Sequence, residues 1–339
     1  MGAQAEGGVR GGYHHRILLA LLILSWAISW PVIKIGVATV PPIWYACFRY
    51  TIAASCLFAF IGARGSVALP PRTDWPLVAA SGVLQMAAYS ALTALALTIL
   101  PPGRASVLAF STPIWVVPLA AWRLQERASR AALFGVGLGL LGVLVIAAPS
   151  IHAEQAEQIL AYAMLLAAAA AWAISIVIVR AHRFTASTLA LAPWQMAFAA
   201  CLLLPLAILV EGAPQPIPVN GAASLVYVAL IATAFAYWAV VEAGRHIGAS
   251  AMSMALLATP CLGILISALT LGEAVGASLI GGVVLIGAGI RLATRTSDRS
   301  SKHSLVSSHQ RCWTRRYRAS ADTNETKPRS IARKEPSSC

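Results

Sequence analysis

The side chains that could do chemistry in this sequence are few, and those inside its apolar runs are equipped to bind. Arg49 lies eight residues into the run that opens at Pro42, and Lys34 lies close to the end of the run before it. A charged group surrounded by hydrocarbon is costly enough to be a functional candidate by default. Arg49 could meet an anionic group such as a carboxylate, or brace the carbonyls of a neighbouring helix. Lys34 is placed to snorkel to the interface. Around them, Trp26, Trp30, Tyr89, Trp172, Trp194, Tyr237 and Trp238 lie well inside apolar runs, although Trp and Tyr ordinarily concentrate at the interfaces. With the amides Gln85 and Gln195 and the guanidinium of Arg49, such rings would line a cavity suited to amphipathic or zwitterionic small molecules. Each ring could equally serve helix packing.

Groups that make and break bonds are missing. The sequence has no HExxH, no GxSxG and no paired aspartates within its apolar runs, so no catalytic residue is expected and enzymatic function is not. Cys47, Cys56, Cys201 and Cys261 sit in apolar runs without a CxxC or Cys/His spacing, which predicts buried small hydrophobes, no metal site and no cofactor. Carboxylates avoid the middle of every run, which leaves a carboxylate-based proton relay unsupported. Glu126 and Glu273 fall at loop edges and are expected to cap helices or close turns.

The elements that must position these residues follow from composition. Hydrophobic residues make up 58% of the chain and charged ones 11%, a balance that excludes a water-soluble enzyme and requires burial in a lipid bilayer. Unbroken apolar stretches predict ten transmembrane helices near residues 17–37, 42–61, 76–98, 102–122, 130–149, 158–179, 187–210, 222–243, 248–270 and 275–294. Pro41-Pro42 and Pro101-Pro102 open the second and fourth. The first run is too long, and too rich in Trp, for a cleaved signal, and is expected to remain as a span. With the N-terminus placed in the cytoplasm, 22 of the 25 Lys and Arg fall on that side. Positive residues favour the inside, so both termini are predicted to be cytoplasmic. Twelve of those cations follow residue 290, eleven of them in a Ser/Thr/Arg-rich tail over 295–339 that composition predicts to be disordered. The net charge of +13 therefore belongs to a membrane surface and a tail, and no nucleic-acid partner is implied.

The chain also repeats itself. Trp26-Ala27-Ile28-Ser29 recurs as Trp172-Ala173-Ile174-Ser175, 146 residues later, where Lys34 falls on Arg180 and Arg49 on Gln195. Thr112-Pro113 recurs as Thr259-Pro260 at 147 residues, with Ser106 on Ser253, Glu126 on Glu273, Gly135 on Gly282 and Gly142 on Gly289. Five helices per copy is an odd number, so the second copy must enter the membrane from the opposite side. The fold expected is an all-α integral membrane protein of two inverted five-helix repeats, over 17–149 and 150–294, after a cytoplasmic segment at 1–16.

With Trp26, Lys34, Pro42 and Arg49 in the first two spans, Thr112-Pro113 in the fourth, Glu126 after it and glycines from Gly135 to Gly142 in the fifth, the half-repeat resembles an EamA-type domain. Residues 17–294 resemble the drug/metabolite transporter superfamily. That resemblance implies a ten-helix permease whose halves enclose a central cavity opening alternately to either side, and whose cargo is an amino acid, another small metabolite or a drug, commonly exported across the bacterial inner membrane. The residues alone indicate an inverted-repeat polytopic protein, for which a membrane enzyme and a non-transporting receptor or assembly protein are the alternatives.

Prolines inside spans remove an amide donor and bend the helix. Pro31, Pro113 and Pro260 are hinge candidates, or else static kinks. Glycines at helical spacing in the fifth and tenth spans are expected to pack these helices against each other, or against a second protomer in a homodimer. Deleting residues 297–339 is expected to leave transport unchanged. A large fall in rate at normal expression would show that the tail is required.

Overall fold

In a computed structural model the described residues are 3–65, 67–125, 129–152, 155–182, 185–246, 256 and 258–292, with side chains described outside 3–16, 150–152 and 244–246. All of them belong to the unit Met1–Thr294, which is distinct from a second unit, Arg295–Cys339. The predicted disorder of the tail and the capping role of Glu126 lie outside the described residues.

Among the described residues every regular element is helical. Helices α1 (Ala3–Val37) and α2 (Pro42–Gly62) are followed by a single 3-10 turn and by α3 (Trp75–Ala80), which runs through a π-helical stretch, Ser81–Ala88, into α4 (Tyr89–Ile99). Next come α5 (Pro102–Ala109), α6 (Thr112–Arg123), α7 (Arg130–His152), α8 (Ala156–Ala181) and α9 (Thr188–Glu211). Helix α10 (Val219–Val226) passes through a second π-helical stretch, Tyr227–Phe235, into α11 (Ala236–His246). The described chain ends with α12 (Ala258–Leu271) and α13 (Ala277–Leu292). Among the described residues, eight helical stretches are long and apolar enough to cross a membrane, from Ile17–Val37 to Val219–Ala243, whereas α12 and α13 are shorter apolar helices.

One predicted span is broken. Residues 102–122 read as a continuous helix, yet α5 stops at Ala109 and α6 begins at Thr112. Pro113 has no amide to offer the Ala109 carbonyl four residues back. The Thr112 hydroxyl takes that carbonyl instead, at 3.0 Å, and the Ser111 hydroxyl bonds the Leu108 carbonyl at 2.6 Å. Pro113 is therefore in the first turn of a new helix, where a missing donor costs nothing. Pro260 lies near the start of the described part of α12, Ala258–Leu271, while Pro31 is carried inside a helix that continues past it.

Carboxylates fasten helix ends that have no cap of their own. Helices α2 and α5 both open on a Pro-Pro pair, and neither has a capping side chain at its N-terminus. Glu211, at the end of α9, accepts from the Ile43 and Trp44 amides, each at 2.9 Å. Glu273 accepts from the Gly103 amide at 2.7 Å and the Arg104 amide at 3.2 Å. Burial raises the Glu273 carboxyl above its ordinary range, against the pull of these amides and of the Arg104 and Lys34 charges. Lys34 itself donates to the Leu97 and Thr98 carbonyls, at 2.6 and 3.2 Å. It thereby holds the C-terminal end of α4, where cations are favoured. Replacing Glu273 with alanine strips both amides of their acceptor, and an expected loss of about 1–3 kcal/mol would appear as a lower melting temperature of the detergent-purified protein.

Small residues set the closest approach. Helix α7 packs directly on α13 of the same chain: a Cβ on Gly142 would stand 2.8 Å from the Gly282 carbonyl oxygen, and one on Gly289 would stand 2.5 Å from that of Gly135. Of the two uses expected for these glycines, the structure has the one within a single chain.

Candidate functional site

A cavity of about 120 Å³ lies in the middle of the bundle. Helix α1 contributes Trp26, Ser29, Trp30 and Ile33, and α2 contributes Arg49 and Tyr50. The first π-helical stretch and α4 supply Gln85, Met86, Tyr89 and Thr93. From the second part of the chain come Trp172 of α8, Met196 of α9, Ala232 and Thr233 of the other π-helical stretch, and Tyr237 of α11. Both π-helical stretches reach the cavity, and they begin 146 residues apart, at Ser81 and Tyr227, which is the spacing of the sequence repeat.

A π-helical turn carries an extra residue and shifts the hydrogen-bond ladder, which leaves backbone carbonyls for other partners. The second stretch uses two of them. The Thr233 hydroxyl donates to the Val228 carbonyl five residues back at 2.8 Å, and Trp26 donates its indole N–H to the Ala232 carbonyl at 3.1 Å. The oxygen of Thr233 then accepts from Nε of Arg49 at 2.7 Å. The guanidinium carbon of Arg49 is 5.4 Å from the centre of the Tyr50 ring, and the Tyr50 hydroxyl is 2.7 Å from that of Ser90. Arg49 is thus held from behind by a hydroxyl and flanked by a ring. Among the described lining residues it is the one charged side chain.

Phe110, at the break between α5 and α6, gathers the rings. Its centroid lies 6.4 Å from Trp26, 6.3 Å from Trp30 and 6.3 Å from Trp172, and Trp172 meets Tyr89 edge-on at 5.1 Å. The two tryptophans matched by the repeat, Trp26 and Trp172, both pack against the same phenylalanine.

The structure brings seven of the sequence's cavity candidates together: Trp26, Trp30, Arg49, Gln85, Tyr89, Trp172 and Tyr237. Three lie elsewhere, for a geometric reason. Met196 of α9 faces the cavity, and residues one and two positions away on a helix point about 100° and 200° round from it. Trp194 accordingly packs against Phe58 and Trp75, at 5.0 and 6.2 Å, and donates to the Ala68 carbonyl. Gln195 is buried behind the wall, where its Oε1 accepts from the Tyr237 hydroxyl at 2.8 Å. Trp238, next along from Tyr237, turns to Phe235 at 5.8 Å and to a small apolar cluster about Leu22. Among the residues that sequence reasoning passed over are Thr93, Met196 and Thr233 of the wall and Phe110 packed against its rings. Only Phe110 had a signal, since it precedes the Ser-Thr-Pro break.

Residues 16–148 and 159–295 each match the EamA-like transporter family, so that two successive matches together span nearly the whole membrane unit. The chain belongs to the EamA-like transporter family. This EamA-like chain is similar to a protein of Salmonella typhimurium named as a probable amino-acid metabolite efflux pump, at 27% identity over 80% of this chain and 92% of the relative. A probable terminal-alkyne amino-acid exporter of Streptantibioticus cattleyicolor is 29% identical over 82% and 92%. The transporter YoaV of Bacillus subtilis is 24% identical over 84% and 98%. A protein of known crystal structure, 24% identical, superposes with a TM-score of 0.59 over 84% of this chain and 98% of its own, and it shares the fold. The EamA-like family is one of transporters, and this member is a multi-pass membrane protein.

Proposed function

We propose that the protein is a secondary transporter that exports small metabolites, amino-acid-like ones among them, across the inner membrane by alternating access. In this reading its ten helices, α12 and α13 included, form two inverted five-helix halves with both termini in the cytoplasm. Residues from both halves wall the cavity, and that observation carries the proposal, because relative movement of the halves would expose the same groups first to one side and then to the other. Support also comes from the twofold family match, from π-helical stretches and tryptophans at one shared offset, and from relatives named as an efflux pump and an exporter. The test is counterflow in proteoliposomes loaded with single amino acids and metabolites. Accumulation of labelled cargo against its own gradient is expected, and no exchange of any panel member would count against the reading.

Pro113 and Pro260, matched by the sequence repeat, are the proposed hinges. A Pro113→Ala variant regains the amide donor, and α5 and α6 can then join. Counterflow is expected to slow by about fivefold or more while cargo affinity stays unchanged, as for a conformational step. An unchanged rate would make Pro113 a static kink.

A further inference from the structure

We infer that the cavity selects cargo by a carboxylate, with Arg49 as the anion-binding group and Thr93 as a second polar contact. The inference rests on the transport reading and names the cargo chemistry of the same site.

Three observations carry it. First, Arg49 is bonded through Nε to Thr233, which leaves the two terminal nitrogens as a planar, doubly donating fork of the geometry that carboxylates fit. No Asp or Glu lines the cavity among the described residues, so the protein supplies the charge there without its counter-ion. Second, Thr93 lines the same cavity, is 5% exposed, and its hydroxyl has no hydrogen-bond partner among the described residues. A threonine in a helix can usually turn its hydroxyl to the carbonyl four residues back, and Thr51 and Thr270 do so here, to Cys47 and Ile266. A buried hydroxyl left unpaired is unusual, and a polar ligand beside it supplies what the fold does not. Third, the remaining wall is dominated by rings, among them Trp26, Trp30, Tyr89 and Trp172, and ring faces attract an ammonium group or cover an apolar side chain. A carboxylate on Arg49, a hydrogen-bonding neighbour at Thr93 and an ammonium or apolar remainder against rings together describe a small zwitterionic acid. A plain amine would bring its charge to a cavity that already holds a guanidinium.

The experiment uses the full chain in proteoliposomes and compares L-leucine, L-phenylalanine and L-threonine with their carboxamides, by counterflow and by quenching of tryptophan fluorescence on binding. For any acid that is moved or bound, the wild type is expected to favour it over its amide by at least roughly tenfold, since a site built to bond a polar group rejects analogues that lack it. Arg49→Gln is expected to abolish that preference, and Arg49→Lys to retain part of it. Thr93→Val is expected to weaken acid binding by about threefold or more while leaving the melting temperature of the ligand-free protein unchanged or higher, because it removes an unpaired hydroxyl. A purely structural Thr93 would move stability and not affinity. Equal handling of acid and amide by the wild type, no binding of any acid, or a preference that survives in Arg49→Gln would overturn the inference. Failure of the transport reading looks different: acids bind with the expected preference and none is exchanged.

Discussion

A Gly289→Val variant is expected to yield almost no folded protein in the membrane. The new Cβ would stand 2.5 Å from the Gly135 carbonyl oxygen and 2.8 Å from the Gly139 nitrogen. Both are backbone atoms, so no rotamer change in a neighbour can relieve the clash, and α7 and α13 must separate along their length. Overpacking of a close interface costs about 1–3 kcal/mol and occasionally more. Helix pairs in a bilayer depend on such close contact because lipid is as apolar as the partner helix. Size-exclusion profiles of the detergent extract check this expectation. A monodisperse peak at wild-type yield would mean that the contact is dispensable. At Gly137 and Gly287, where nothing lies within 4 Å of an added Cβ, alanine is expected to be tolerated, so the pattern distinguishes contact from helix propensity.

The second large effect is expected at Asp74. This side chain is fully buried and accepts from the Thr185 hydroxyl and the Ala186 amide, each at 2.8 Å, with the Thr185 amide at 3.3 Å. It thus fixes the turn that leads into α9, which lies along α2. Alanine at this position leaves two backbone amides without an acceptor, and such groups carry their full desolvation cost. A markedly lower melting temperature is expected for Asp74→Ala and a smaller fall for Asp74→Asn, which keeps one acceptor oxygen. Equal melting temperatures for the two variants would place the effect in something other than these bonds.

Much of this was legible in the sequence because two of its signals are averages over many residues. Apolar run length located the eight long helices to within a few residues, since the cost of exposing backbone in lipid leaves little choice of element. The repeat was legible because Trp26 and Trp172, 146 residues apart, and Thr112-Pro113 and Thr259-Pro260, 147 apart, are uncommon pairs at nearly the same spacing. What escaped depends on single atoms. A π-helical turn differs from an α-helical one by one residue of ladder and has no period of its own, so Ser81–Ala88 and Tyr227–Phe235 read as ordinary helix. Asp74 and Glu211 find partners more than 100 residues away, and nothing local marks them as helix caps. Choosing Met196 over Trp194 or Gln195 needed the rotation of α9 about its axis, which an almost uniformly apolar helix does not encode.

Passage of cargo through the cavity by exposure to each side in turn can be read at Ser29, which lines it. A single cysteine there, in a chain whose six native cysteines are replaced by serine or alanine, is challenged with a membrane-impermeant thiol reagent added to one side of the proteoliposome or the other. Labelling from both sides, protection by cargo, and loss of counterflow once the residue is labelled are expected. Labelling from one side only whatever the cargo gradient, or full transport after complete labelling, would contradict such passage.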